Sequence, residues 1–155
     1  MKKRKCGCTC CKSCKCICPP GPPGPPGVFI EFDCTQFSNI SLTPQQPTAD
    51  LATVNINVDE SDNTVWFNAY ITWSASTGNE TVNFSIIRDD DTVICTASDS
   101  TASANNPITT ALTCCDENPL TGSHDYTLRA EAEDLTGNQT VTIAQGTFTA
   151  TEVNT

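Results

Sequence analysis

The segment from Leu51 to Val58, LATVNINV, decides the fold. Val54, Ile56 and Val58 fall on one parity, and Thr53, Asn55 and Asn57 on the other. A period of two puts one set on a core and the other in water, which describes a β-strand and not a helix. The same texture spreads outward. TVWFNAYITWSA (64–75) reads as a long strand. Trp66 and Tyr70 share one parity there, Ile71 and Trp73 the other, and a bulge near Tyr70 would bring all four to one face. ETVNFSIIR (80–88) and TVICTAS (92–98) flank Asp89-Asp90-Asp91 and predict a hairpin with an acidic tip. VFIEFDC (28–34), ITTALTCC (108–115) and HDYTLRAEAE (124–133) read as further strands, and QTVTIAQGTFTATEV (139–153) as two short ones around Gly146. STGN, ENPLTG and LTGN supply turns, and no stretch carries a helical period.

Eight or nine short strands with regular turns make residues 28–155 an all-β sandwich. Its expected core is Val54, Ile56, Trp66, Tyr70, Ile71, Phe84, Ile86, Val93, Leu112, Leu128, Val141 and Phe148. A body of this length buries a core without needing disulfides merely to fold.

Ahead of the body the sequence changes character twice. Residues 1–18, MKKRKCGCTCCKSCKCIC, hold cysteine, lysine and small polar residues without apolar periodicity, so cross-links or a partner must order them. Residues 19–27 are three Pro-Pro-Gly triplets. Proline fixes φ and removes the backbone donor, so this segment is an extended polyproline rod of roughly 28 Å at ~3.1 Å per residue. Gly21, Gly24 and Gly27 stand at every third position, as a collagen triple helix requires. Three triplets are too few to hold such a helix alone. A trimeric domain on one side or covalent links on the other would have to support it.

Charge divides along the same boundary. Six of the eight basic residues lie in the first 15 positions, whereas all 18 acidic residues lie in the body with only Arg88 and Arg129. A basic tail and an acidic body attract each other across subunits. Nucleic acid is not an expected partner, because the body would repel phosphate and the tail lacks an aromatic residue to stack on bases. Membrane insertion is not expected either, since no apolar run approaches ~18 residues. The basic start has no apolar stretch behind it, so no cleaved signal peptide is expected. Export would then follow another route, such as release of the producing cell.

Of 11 cysteines, Cys6, Cys8, Cys10, Cys11, Cys14, Cys16 and Cys18 lie in the tail, and Cys34, Cys95, Cys114 and Cys115 in the body. The odd number leaves a thiol over within one chain, and pairing between chains removes the mismatch. The tail thiols are open to disulfides, to soft-metal ligation or to a reduced state. The close C-x-C and C-C spacing differs from paired zinc knuckles, and disulfides are the expected use, with no cofactor. Adjacent Cys114 and Cys115 cannot both pair easily, so at most one is expected to bond a distant partner. Cys34, just past the rod, is a second docking candidate. Cys95 reads as a small buried apolar residue.

No catalytic set stands out, so an enzyme is not expected. His124 reads as a surface or edge histidine. Asp89 to Asp91 read as a solvated turn, with a calcium site as the alternative. All five lysines lie in the tail, which excludes a lysine isopeptide bond inside the body.

A β-sandwich behind a Gly-Pro-Pro rod resembles the trimeric jelly rolls that follow collagen stalks in complement-type and tumour-necrosis-factor-like proteins. The leader from Cys6 to Cys18, with Gly21 to Gly27 and Cys114-Cys115, resembles the endospore appendage (spore pilus) subunits and collagen-like exosporium surface proteins of bacilli. The resemblance implies a jelly-roll-like sandwich and N-terminal cysteine connectors that join subunits through disulfides into robust fibres. The expectation is a structural subunit of an extracellular fibre at a spore or cell surface. Its partners would be copies of itself, as homotrimer and head-to-tail polymer, with an anchoring surface protein as a further candidate. The rod departs from the appendage pattern and favours stacked trimers. A trimeric anchored head binding glycan or protein through its loops, and a metal-binding coat protein, are the alternatives.

Overall fold

The computed structural model describes residues 29–154. The tail 1–18 and the rod 19–27, with Cys6 to Cys18 and Gly21, Gly24 and Gly27, lie outside the described residues. Eight strands follow one another: β1 (Phe29–Leu42), β2 (Thr48–Val58), β3 (Thr64–Ala75), β4 (Thr81–Arg88), β5 (Val93–Ser100), β6 (Ile108–Asp116), β7 (Gly122–Ala132) and β8 (Val141–Val153). One antiparallel sheet has the order β1-β8-β3-β6 and the other β2-β7-β4-β5. The pairs β1–β8, β2–β7, β3–β6 and β4–β5 are nested, as if one long hairpin had been rolled up on itself. That is the eight-stranded jelly-roll arrangement of a β-sandwich.

Alternation builds the core as the sequence predicts for most positions. Val54, Ile56, Ile71, Phe84, Ile86, Leu112, Leu128, Val141 and Phe148 are buried between the sheets. Aromatic rings bridge the layers: Phe67 meets Tyr126 with centroids 4.7 Å apart, and Trp73 meets Phe84 at 6.1 Å.

Three expected core residues face outward. Trp66 is 48% exposed, Tyr70 59% and Val93 54%. The reason is that β3 keeps one unbroken alternation, with Val65, Phe67, Ala69, Ile71 and Trp73 inward, so Trp66 and Tyr70 point to the outer face. The bulge expected in β3 belongs to its neighbours. Thr72 opposes Gln145 and Trp73 opposes Ile143, which leaves Ala144 of β8 as an extra residue. β1 carries a matching extra residue near Asn39, whose φ is 58°. An unpaired residue switches the inward parity of a strand. This explains why 139–153 looked like two strands around Gly146 and is a single bulged β8.

The two open sides of the sandwich are closed differently. At the β1–β2 side, Asp33 and Glu31 of β1 accept the backbone N–H groups of Asn55 (2.8 Å) and Asn57 (2.6 Å) of β2. The Thr35 hydroxyl donates to the Thr53 carbonyl at 3.0 Å. Side chains of one sheet thus occupy the free edge of the other and deny it to a foreign strand. At the β5–β6 side, Trp73 Nε1 donates to Thr110 Oγ1, which donates to Asp99 Oδ2, at 2.9 and 2.7 Å. At the end of the sandwich where β1 begins, buried Glu152 accepts the Asp59 N–H and the Asn63 amide and pins the β2–β3 turn.

The two tryptophans give a direct check. Trp73→Ala should cost about 3–5 kcal/mol in chemical denaturation, as a filled core position does. Trp66→Ala should stay within about 0.5 kcal/mol, as an exposed position does. Equal losses would contradict the parity of β3.

Candidate functional site

The outer face of the β1-β8-β3-β6 sheet can be read row by row from the strand register. Phe32, Thr151, Trp66 and Cys115 form the row nearest the start of β1. Cys34, Thr149, Asn68 and Thr113 follow, then Gln36, Thr147, Tyr70 and Ala111, then Ser38, Gln145, Thr72 and Thr109. None of these positions is occupied by an acidic or basic residue, although the chain has 18 acids. Exposed Phe32, Trp66 and Tyr70 stand among threonines. The outer face of the other sheet carries Asp125, Arg129 and Glu131 instead.

Cys34 and Cys115 are free thiols, the first exposed and the second partly so. Cys34 lies in β1 and Cys115 in β6, at opposite edges of a four-strand sheet. Three strand spacings separate them, about 14 Å, well beyond the span of a disulfide. They cannot pair with each other inside the chain, and both point out of the same face.

The structure corrects two readings of the other cysteines. Cys114, expected among the intersubunit candidates, is bonded to Cys95 of the same chain. Cys95, expected as a buried apolar residue, is therefore a disulfide partner. β5 and β6 lie in different sheets and run side by side at the edge of the sandwich, so inward Cys114 of β6 meets Cys95 of β5 with Cα atoms 6.6 Å apart. Of the adjacent Cys114 and Cys115, one points inward and pairs, and the other points outward and stays free.

The acidic tip is organised by Arg88 and His124. Arg88, at the end of β4, is buried and makes a two-pronged pair with Asp90 (3.0 and 2.9 Å). Its other prong donates to buried Asp116 of β6 at 2.8 Å, and Tyr126 donates to the same carboxylate at 3.2 Å. The hydrogen bond from Arg88 holds Asp90 well below the usual carboxylate range. His124 lies 3.0 Å from Asp89 and lowers that carboxyl as well. Burial, then Asp116, pushes the Tyr126 hydroxyl upward. Among the described residues no group of three His, Cys, Asp or Glu side chains is placed to hold a metal ion. Sequence reasoning missed this cluster, although Arg88 is one of two basic residues in the body and directly precedes three aspartates.

The turn 59–62, the tip 89–91 and the loop at Glu117 gather at one end with the start of β1, because Phe29 opposes Val153 and Val58 opposes Gly122. The acidic end is thus the end at which the body joins the segment carrying six basic residues.

No family model matches the chain, and no curated protein matches it. Solved structures resemble it in fold. The structure of infectious bursal disease virus Gx strain gives a TM-score of 0.57 at 14% identity, over 79% of this chain and 32% of that one. The Gt strain gives 0.55 at 13%, over 79% and 32%. The infectious bursal disease virus VP2 subviral particle gives 0.52 at 12%, over 79% and 33%. The chain spans about a third of the length of these structures. At such identities the likeness shows the β-sandwich and nothing about activity.

Two outcomes follow from the site. In native alkylation read by mass spectrometry, Cys34 should label fastest and Cys115 more slowly, with Cys95 and Cys114 unlabelled until reduction. Labelling of Cys114 without reductant would contradict the pairing. Asp89 and Asp90 have depressed folded pKa values, so their stabilising contribution is present at neutral pH and is lost as pH falls below the ordinary carboxylate range. Thermal unfolding followed down the acid limb should therefore show a drop that Asp90→Asn flattens.

Proposed function

We propose that this chain is a structural subunit of a self-assembling extracellular fibre on a spore or cell surface. The observation that carries the proposal is the outer face with two free thiols, Cys34 and Cys115, that cannot reach each other and stand in and beside the row of exposed Phe32 and Trp66, on strand positions that hold no charged residue. Seven further cysteines lie in the tail of the same chain. The tail of one subunit docks on the face of the next, and a tail thiol and a body thiol join as a disulfide. Molecular oxygen takes the two electrons and two protons. The basic tail is drawn to the acidic end of the neighbouring body, which brings it close to the Phe32–Trp66 row.

The rod completes the design. Three β-domains associate, and their Pro-Pro-Gly segments wind together between the domains and the tails. A tail-to-face contact is heterologous and does not close on itself, so it propagates into a fibre. Cross-links between subunits make the fibre resistant to heat and denaturant while it stays oxidised. The role is structural and not enzymatic, and it needs no cofactor, nucleic acid or membrane-spanning segment.

Negative-stain electron microscopy of the full-length protein after air oxidation, with and without strong reductant, tests this. Regular fibres that withstand boiling until reduced are expected. Discrete particles in both conditions would overturn the proposal. Deleting residues 1–18 should leave folded bodies that do not polymerise, and a bulky residue at Gly24 should weaken assembly without unfolding the β-domain.

A further inference from the structure

A pocket of about 500 Å³ opens on the outer face of β1, β8 and β3, on the half of the sheet away from the start of β1. It is lined by Gln36, Ser38, Tyr70, Thr72, Gln145 and Thr147, with Phe37 and Gly146 beneath. The register explains the cluster: Gln36, Thr147 and Tyr70 form one row, and Ser38, Gln145 and Thr72 the next. The bulge at Asn39 and Ala144 lies directly beside it, where a sheet bends and re-aims its side chains. Gly146 is required here. A Cβ at this position would run into the Phe37 ring and stand 2.6 Å from the Tyr70 carbonyl oxygen.

The hydrogen bonding of the lining is unusual for this chain. All the strand asparagines (Asn39, Asn55, Asn57, Asn68 and Asn83) use their side chains in hydrogen bonds to neighbours. The two strand glutamines, Gln36 and Gln145, have open amides, and both line this pocket. On the β3 side of Gln145 stands Tyr70, a 59% exposed ring on a strand whose other large apolar residues are mostly buried.

We propose that this pocket is a binding subsite for a neutral saccharide. A sugar ring offers an apolar face of C–H groups that packs on Tyr70, and hydroxyls that both donate and accept. Gln36 and Gln145 each present a donor and an acceptor, and Thr72, Thr147 and Ser38 add hydroxyls. The lining has no carboxylate, ammonium or guanidinium, so nothing in it selects an ion. A peptide adding as a strand would need a free strand edge, and β8 and β3, which carry most of the lining, are paired on both sides. A mostly polar wall around one exposed ring also does not suit a wholly apolar ligand. The volume falls in the range of small-molecule sites. The alternative reading of the sequence placed a glycan on loops, whereas this site is on the sheet face. It does not rest on fibre assembly.

The test uses the full chain with its free thiols capped by iodoacetamide under native conditions, which keeps it soluble and leaves Cys95–Cys114 intact. Methyl glycosides of glucose, galactose, mannose and N-acetylglucosamine, and their short oligomers, are titrated while the Gln36 and Gln145 side-chain amides are followed by NMR. At least one sugar should shift these amides and the Tyr70 ring, with an affinity insensitive to salt. Tyr70→Ala should weaken binding about tenfold, the loss of one stacked ring. Trp66→Ala, on the same face but outside the pocket, should leave it unchanged. Tyr70 is exposed, so its replacement leaves the fold in place. The absence of shifts at these groups with every sugar, or an affinity unchanged in Tyr70→Ala, would overturn the proposal.

Discussion

The bond between Cys95 and Cys114 determines what the remaining body thiols can do. It ties β5 of one sheet to β6 of the other and takes two of the four body cysteines out of play. The two that remain share one outer face, too far apart to satisfy each other. A linkage closing a loop across 19 positions is worth about 3 kcal/mol in the chain-entropy picture. Its larger consequence is the division of labour. One pair ties the two sheets together, and of the others Cys34 is exposed and Cys115 half-buried on the outer face.

Charge follows the same division. In a body with 18 acids, copies repel one another over most of the surface. The rows from Phe32 to Cys115 and from Ser38 to Thr109 contain no charge, so contact there carries no such penalty. At the adjoining end Arg88 already holds Asp90 and Asp116, and the body's other arginine, Arg129, holds Asp50 at 2.6 Å toward the opposite end of β7. The other six basic residues of the chain lie in its first 15 positions. The free edge of β2 is meanwhile covered by Glu31, Asp33 and Thr35, which denies that edge to strand addition.

Much of this was legible in the sequence. LATVNINV predicted a half-buried strand, and Val54, Ile56 and Val58 are buried as its alternation requires. The number and kind of strands followed from the same rule. The errors came where one strand's pattern depends on its neighbours. Trp66 and Tyr70 read as core because large aromatics usually are, and a bulge in β3 would bury them. The bulge sits in β8 and β1, which no period in 64–75 could reveal. Cys95 looked apolar because its partner is across a sheet boundary. The pocket was invisible for the same reason: Gln36, Tyr70 and Gln145 are distant in sequence and meet only once β8 lies between β1 and β3.

The central claim is that tail thiols bond to the exposed face of another chain. Disulfide mapping by mass spectrometry tests it, on fibres grown from an equal mixture of isotopically light and heavy full-length chains. The account predicts peptides joining a cysteine of residues 6–18 to Cys34 or Cys115 with mixed light and heavy halves, alongside an unmixed Cys95–Cys114 link. Tail cysteines bonded only to one another, with Cys34 and Cys115 recovered as free thiols, would contradict it.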